Sequence, residues 1–379
     1  MIVTTVLLSV TAQLVPATPQ TLDADEVIVL GRRAEKGLTD CLQRQCPPAE
    51  DVEASLQAAV EQFGAGRYAD AHRTLQKAIH RNKKHAAELP GPVSSLYATL
   101  ATVAEHEGYK DLWKHAGRQN VVLLREHLGA TTPATLTEEI RRADDMLGLG
   151  LPDVAEDIYK KAQRLALAND HRSIAAAATY RRAWLALMRN RYAEADKLVR
   201  QGATIAGPSQ PAMNQVRDVL LARIANRRGD KGAIEALATR LRQSATQAPT
   251  LLSAPPVEDI NPPPGTSDRY DRDPVRWADI GYWIRPDGHT ADVEMLRTTG
   301  LGQWRVGIVR HVSARRYVPL ALDPNSPGIY RIDRFTVRAN FGVPLGSRIP
   351  SRMGPLTVHV VDLTETNARI ASREADTRR

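Results

Sequence analysis

From about residue 50 to residue 247 apolar residues recur at spacings of three and four, the pattern of helices that bury one face, and short breaks carrying Gly or Asn interrupt them. The breaks recur too. Gly66-Arg-Tyr, Gly108-Tyr-Lys, Gly150-Leu-Pro, Asn190-Arg-Tyr and Gly229-Asp-Lys each open the second helix of a hairpin and stand 42, 42, 40 and 39 residues apart. A near-constant period of this kind predicts stacked helix pairs, each of which needs a neighbour to bury its apolar face. Residues 248–274 break the pattern with Pro249, Pro255, Pro256, Pro262, Pro263, Pro264 and Pro274. Proline fixes φ and removes a donor, so this segment is expected to be an extended, semi-rigid linker between two domains.

Beyond the linker the period changes to two. Val275–Ile284 reads as a strand, Arg285-Pro-Asp287-Gly288 as a tight turn and Ala291–Arg297 as the returning strand. A helix from about Leu301 to Arg315, with Trp304, Ile308 and Val312 on one face, leads to a long alternating strand, Ile329–Phe341. Leu356–Val361 adds one more strand candidate within a C-terminal stretch, 346–379, that ends in a flexible polar tail. The predicted fold class is therefore multi-domain: an all-α solenoid followed by a small α+β domain at 275–345.

Composition changes the picture at the N-terminus. Residues 1–17 form an uncharged, mostly apolar run ending in Val15-Pro16-Ala17, which predicts a signal peptide cleaved near Ala12 or Ala17 and an exported protein. The run is shorter than the ~20 residues a bilayer span needs. Residues 18–49 are expected to be an extended N-terminal segment, and Cys41 and Cys46, the two cysteines, are expected to close a small disulfide loop in an oxidising compartment. The net charge of +8 does not point to nucleic acid, because the basic residues alternate with acidic ones, as in Glu138, Glu139, Arg141, Arg142, Asp144 and Asp145, read as a solvated face. Weak attraction to an anionic envelope surface is compatible with it.

Two families are suggested by the residues. Gly66-Arg-Tyr68-Ala-Asp-Ala71 through Leu75 to Ala78, and Asn190-Arg-Tyr192-Ala-Glu-Ala195 through Leu198, resemble the second helix of tetratricopeptide repeats. The spacing and the third unit, Leu128 to Ala162, are similar to the longer kinesin light chain type. That resemblance implies a surface for proteins or peptides. The run Asp279 to Gly300, with Asp287-Gly288, then Arg315-Arg316-Tyr317-Val318-Pro319 and Arg334 to Phe341, resembles the C-terminal domain of TonB proteins. In that family the domain captures an extended peptide by adding it as a strand. The resemblance implies a partner-binding strand edge at Arg334, Phe335, Thr336, Val337, Arg338 and Phe341. It also makes Glu26, Val27, Ile28 and Val29 look like a TonB box.

No catalytic motif is present: there is no zinc helix, nucleophile elbow or phosphate-binding loop, so no catalytic residue, metal or cofactor is predicted and the chain is not expected to be an enzyme. His106 and the His80 to His85 pair read as solvated helix histidines. The expected function is a periplasmic protein-binding adaptor linked to TonB-dependent outer-membrane transport, its partners being such transporters or another TonB-type domain. A direct TonB-type energy transducer and a structural envelope scaffold are the alternatives.

Overall fold

The computed structural model describes residues 33–261, 275–343 and 346–364. The signal-peptide run, the box-like Glu26–Val29 and the tail from 365 onward lie outside these residues. A first helix, α1 (Arg33–Gln43), precedes five hairpins: α2 (Pro48–Gly64) with α3 (Tyr68–Asn82), α4 (Pro90–Glu107) with α5 (Lys110–Leu128), α6 (Pro133–Gly148) with α7 (Pro152–Ala168), α8 (Arg172–Met188) with α9 (Tyr192–Ala206), and α10 (Pro211–Arg227) with α11 (Ala233–Arg240). Proline opens α2, α4, α6, α7 and α10, where its fixed φ suits a helix start and its missing N–H has no intrahelical partner to lose. The hairpin turns fall where the breaks predicted them. Gly66, Gly108, Gly150, Asn190 and Gly229 all have positive φ, a conformation that favours Gly and Asn and explains why those residues recur at this period.

Small residues set the packing between helices. Ala71, Ala78, Ala155, Ala162 and Ala195 are buried in the hairpin seams, and Gly202 lies directly beneath the ring of Tyr180. The fifth hairpin is the irregular one, since α11 is only 8 residues long. Cys41 and Cys46 are joined as a disulfide at the end of α1. Residues 33–43 are thus helical rather than extended as expected. The helix is tied down by Ala34 N–H donating to Glu61 Oε2 at 2.7 Å and by an Arg67–Glu35 ion pair.

The C-terminal part contains β1 (Leu251–Ser253), β2 (Arg276–Ile284), β3 (Thr290–Thr298), α12 (Trp304–Ser313), β4 (Arg316–Tyr317), β5 (Ile329–Gly342) and β6 (Ser351–Asp362). Four strands form an antiparallel sheet in the order β3-β2-β5-β6, and β1 pairs with β4 in a second, two-stranded one. One face of the larger sheet carries Ile280, Tyr282, Phe335 and Val337 onto Trp304, Ile308 and Val312 of α12. The opposite face puts Trp277 and Ile332 into the same core as Phe63, Tyr68, Leu100 and Trp113. The sheet is therefore a middle layer, with α12 on one side and the first two hairpins on the other.

This arrangement corrects the expected spacer. In the described part of the proline-rich segment, Leu252 and Val257 are buried, Pro255 O accepts from His311, and Leu251 pairs with Tyr317. Proline removes donors but does not stop neighbouring apolar residues from packing, and Leu251, Leu252 and Val257 tie the segment to the module instead of holding it away. The module also runs past 345, because β6 and the buried Leu363 belong to it.

The close seating of sheet on hairpin is measurable at one turn. A Cβ on Gly66 would stand 2.5 Å from the Trp277 ring, whereas one on Gly150, at the same φ of 76°, meets nothing within 4 Å. Gly150→Ala is expected to cost about 1 kcal/mol, from backbone strain alone. Gly66→Ala is expected to cost about 2–3 kcal/mol, because the indole must also move. Paired urea denaturation curves check this, and equal losses would mean the sheet does not press on the first turn.

Candidate functional site

The seam between sheet and hairpins is built from arginines that reach helix ends. The last carbonyls of a helix have no intrahelical donor and carry the negative end of its dipole, so a buried cation there is favourable. Arg334 on β5 donates to Phe63 O at 2.5 Å and Gly64 O at 2.7 Å, and Arg297 on β3 donates to Gly64 O at 3.1 Å. One hairpin further on, Arg338 donates to Glu105 O at 2.9 Å and Arg352 on β6 to Glu107 O at 2.7 Å. The C-termini of α2 and α4 are thereby capped by four side chains that come from the sheet.

Charge balance comes from Asp279 on β2. It is fully buried and accepts from Arg334 at 2.6 and 2.9 Å and from Arg297 at 2.9 and 2.5 Å. Arg334 also stacks over Trp277, 4.0 Å from its ring centroid. Burial acts to lower the Arg334 pKa, but the hydrogen bonds and charge of Asp279, together with Tyr68, outweigh it and hold the guanidinium above its ordinary value. Among the described residues no carboxylate is hydrogen-bonded to Arg338, and burial brings it down to about 10.

Between the two arginine stations lies a histidine pair. His106 Nδ1 is 2.7 Å from Thr336 Oγ1, and His359 Nδ1 is 2.8 Å from Glu105 Oε1. Burial, with neighbouring positive charge, pushes His106 down to about 3 and His359 well below its ordinary value. Both rings are consequently neutral near pH 7. His106 is thus not the solvated histidine expected. Phe341 N–H donates to Gly108 O and its ring stacks on Tyr109 at 4.2 Å, closing the seam.

The far end of the module meets the last hairpin. Arg316 pairs with Glu235 of α11 at 2.8 Å, and Arg223 of α10 donates to Leu251 O and Leu252 O at 2.6 and 2.7 Å while standing 4.9 Å from the Trp184 ring centroid. Burial brings Arg223 down to about 10. Within the module, Arg315 and Asp333 form a buried pair with Tyr282 and Tyr317. The helical array therefore holds its own C-terminal module at both ends.

These contacts correct the expected partner edge. Arg334, Phe335, Thr336, Val337, Arg338 and Phe341 are on an inner strand, because β6 pairs with β5 from Asp333 to Gly342. A strand has two hydrogen-bonding sides, and both of these are filled, by β2 and by β6. Phe335 and Val337 face α12, while Arg334, Thr336 and Arg338 face the hairpins. Sequence reading missed Asp279, Arg297, Arg352 and His359; for Asp279, Arg297 and His359 the one visible signal was a charged or titratable residue on a predicted strand, whereas Arg352 lies outside the strands predicted.

Where hairpins one and two bear the sheet, the turns of hairpins three and four have no such cover among the described residues. Leu151 and Val154, beside the third turn, are 39% and 44% exposed, and Met188, before the fourth turn, is 37% exposed. An open groove of about 650 Å³ runs across α7, α8 and α9, lined among others by Leu167, Arg164 and Gln201. Among the described residues no group of three His, Cys, Asp or Glu is placed to hold a metal ion, and no helix is long and apolar enough to cross a membrane.

No family model and no curated protein matches the chain. Among solved structures it is similar to the crystal structure of BtubC (BKLC) from P. vanneervenii, at 18% identity and a TM-score of 0.43, over 56% of this chain and 86% of that one. At that TM-score the likeness carries no argument.

Proposed function

We propose that this protein is an exported, non-enzymatic adaptor that holds a polypeptide partner along the turn-bearing rim of its helical array, next to the stretch occupied by its own sheet. The observation that carries this reading is the change from covered to bare along one rim. The turns of hairpins one and two take up Trp277, Phe341 and four arginines, and the next two turns leave Leu151, Val154 and Met188 in solvent. Exposed apolar side chains in line with an apolar seam favour a protein partner over a small molecule.

Export is supported by the apolar N-terminal run and by the Cys41–Cys46 disulfide, which persists in an oxidising compartment. The TonB resemblance is supported by the succession β2, β3, α12, β5, and it keeps a role beside outer-membrane transport within the proposal. The side of β5 that such a domain offers to a box peptide is taken by β6, so capture of a transporter at Arg334 to Phe341 is not part of it.

Photocrosslinking in cells from position 154, compared with position 197 elsewhere on the array, tests the reading. A discrete protein adduct at 154 that is lost with Met188→Glu is expected. Equal labelling at both positions, or an adduct indifferent to Met188→Glu, would remove the rim from consideration.

A further inference from the structure

The first four hairpins close with the same backbone bonds. In each, the turn residue of positive φ donates to the carbonyl three places back, at Phe63, Glu105, Leu147 and Leu187, and its successor donates to the carbonyl five places back. Those four carbonyls are therefore equivalent. A carbonyl oxygen has two lone pairs, so each can take a second donor. For Phe63 and Glu105 the second donor is an arginine of the sheet, Arg334 at 2.5 Å and Arg338 at 2.9 Å. No side chain among the described residues donates to Leu147 O or Leu187 O.

The room above the turns differs in step. A Cβ on Gly66 would meet the Trp277 ring and one on Gly108 would stand 2.7 Å from Ala339 O, whereas one on Gly150 meets nothing within 4 Å. The side chains beside the third turn repeat those beside the second. Tyr109 stacks on Phe341 and Leu112 packs into the core shared with the sheet, and the residues at the same distance from Gly150 are Leu151 and Val154, both exposed. The fourth turn carries Arg191 and Glu194 in those places, paired with each other at 3.0 Å. Among the described residues the third turn thus combines an uncapped helix end, open space over its backbone and two uncovered apolar side chains. Asp153, whose carboxylate stays 89% exposed beside Arg189, adds negative charge at its edge.

We propose that the third turn receives an extended segment of a partner protein that carries an arginine and, three residues further on, an aromatic side chain, the spacing of Arg338 and Phe341 at the second turn. The arginine caps Leu147 O and the ring covers Leu151 and Val154. This inference rests on the rim proposed above and adds the chemistry of what the rim holds. The end of a helix carries partial negative charge, and a guanidinium brings both a positive charge and several donors in one plane, so arginine suits it better than a neutral donor. Arginine and aromatic side chains are also enriched among the residues that dominate binding at protein interfaces. In effect, the chain's own sheet shows at the first two turns what the third one takes from outside.

The probe is a fluorescently labelled synthetic peptide with the sequence of Arg334 to Phe341, added to the full chain and followed by anisotropy. Saturable binding is expected, and the same peptide with Arg338→Gln is expected to bind tenfold or more weakly, because a charge-assisted hydrogen bond is lost. In the protein, Gly150→Asn fills the open approach with a residue that the fourth turn already accommodates, as Asn190 at φ 57°. That variant is expected to keep its denaturation midpoint and to bind the peptide tenfold or more weakly. Equal binding of the two peptides, binding indifferent to Gly150→Asn, or no saturable binding would overturn the proposal. A discrete partner adduct from position 154 in cells would in that event still support the rim, so the two readings fail separately. An adduct from position 154 that maps to the same chain would also overturn it, because the station would then be filled from within.

Discussion

Replacing Arg334 with methionine is expected to destabilise the protein by about 3–5 kcal/mol, the range seen when one partner of a buried ion pair is removed. The native side chain does three things at once. It neutralises Asp279, caps Phe63 and Gly64 at the end of α2, and fills the space over the Trp277 ring. Methionine keeps much of the volume and none of the donors. Asp279 would then rely on Arg297 alone, whose side chain is 39% exposed, and Phe63 O would lose its arginine donor. Urea denaturation with intact m-value checks the figure.

Two further variants separate the causes. Arg334→Lys keeps a charge but not the planar fork that serves Asp279 and two carbonyls together, so a loss of about 2 kcal/mol is expected. Pairing Arg334→Met with Asp279→Asn should recover part of the loss, because the half-compensated buried carboxylate is gone while Phe63 O still lacks its arginine donor. A loss below 1 kcal/mol for Arg334→Met would mean that the sheet does not depend on the helix ends. The adaptor reading would then lose its rigid scaffold.

How much of this was legible in the sequence differs sharply between elements. The hairpin turns were legible because positive φ limits the choice of residue, so Gly66, Gly108, Gly150, Asn190 and Gly229 mark them directly. The long strand was legible from its alternation. Its status within the sheet was not. Whether β5 is an edge depends on β6, which contains Gly354-Pro355 and so reads as shorter than it is. Arg334 and Arg338 at alternating positions look like a solvent face, and nothing nearby in sequence announces carbonyl partners more than 200 residues away. The same limit applies in the array, where Glu139 and Asp144 of the supposed solvated face are buried against Arg125 and Arg181. For α1 a signal existed, since Ala34, Leu38, Cys41 and Leu42 follow helical spacing.

Mild acid is expected to weaken the seam. His106 is neutral in the folded protein, with a pKa of about 3, against about 6.5 when unfolded. A histidine depressed in this way contributes stability that is fully present above the unfolded value. That contribution declines as pH falls below about 6.5 and is exhausted near 3, because the unfolded chain takes up the proton first. At pH 5 the loss from His106 alone comes to about 2 kcal/mol relative to pH 7. His359, displaced in the same direction, adds to it. Protonation would set a positive ring beside Arg338 and Arg334, between the two stations that join sheet and hairpins, with only Glu105 to offset it. Denaturation midpoints measured from pH 7 to pH 4.5 should therefore fall steeply, and His106→Gln should flatten the slope while lowering stability at pH 7. An unaltered slope in that variant would place the acid sensitivity elsewhere and leave the histidine pair as packing alone.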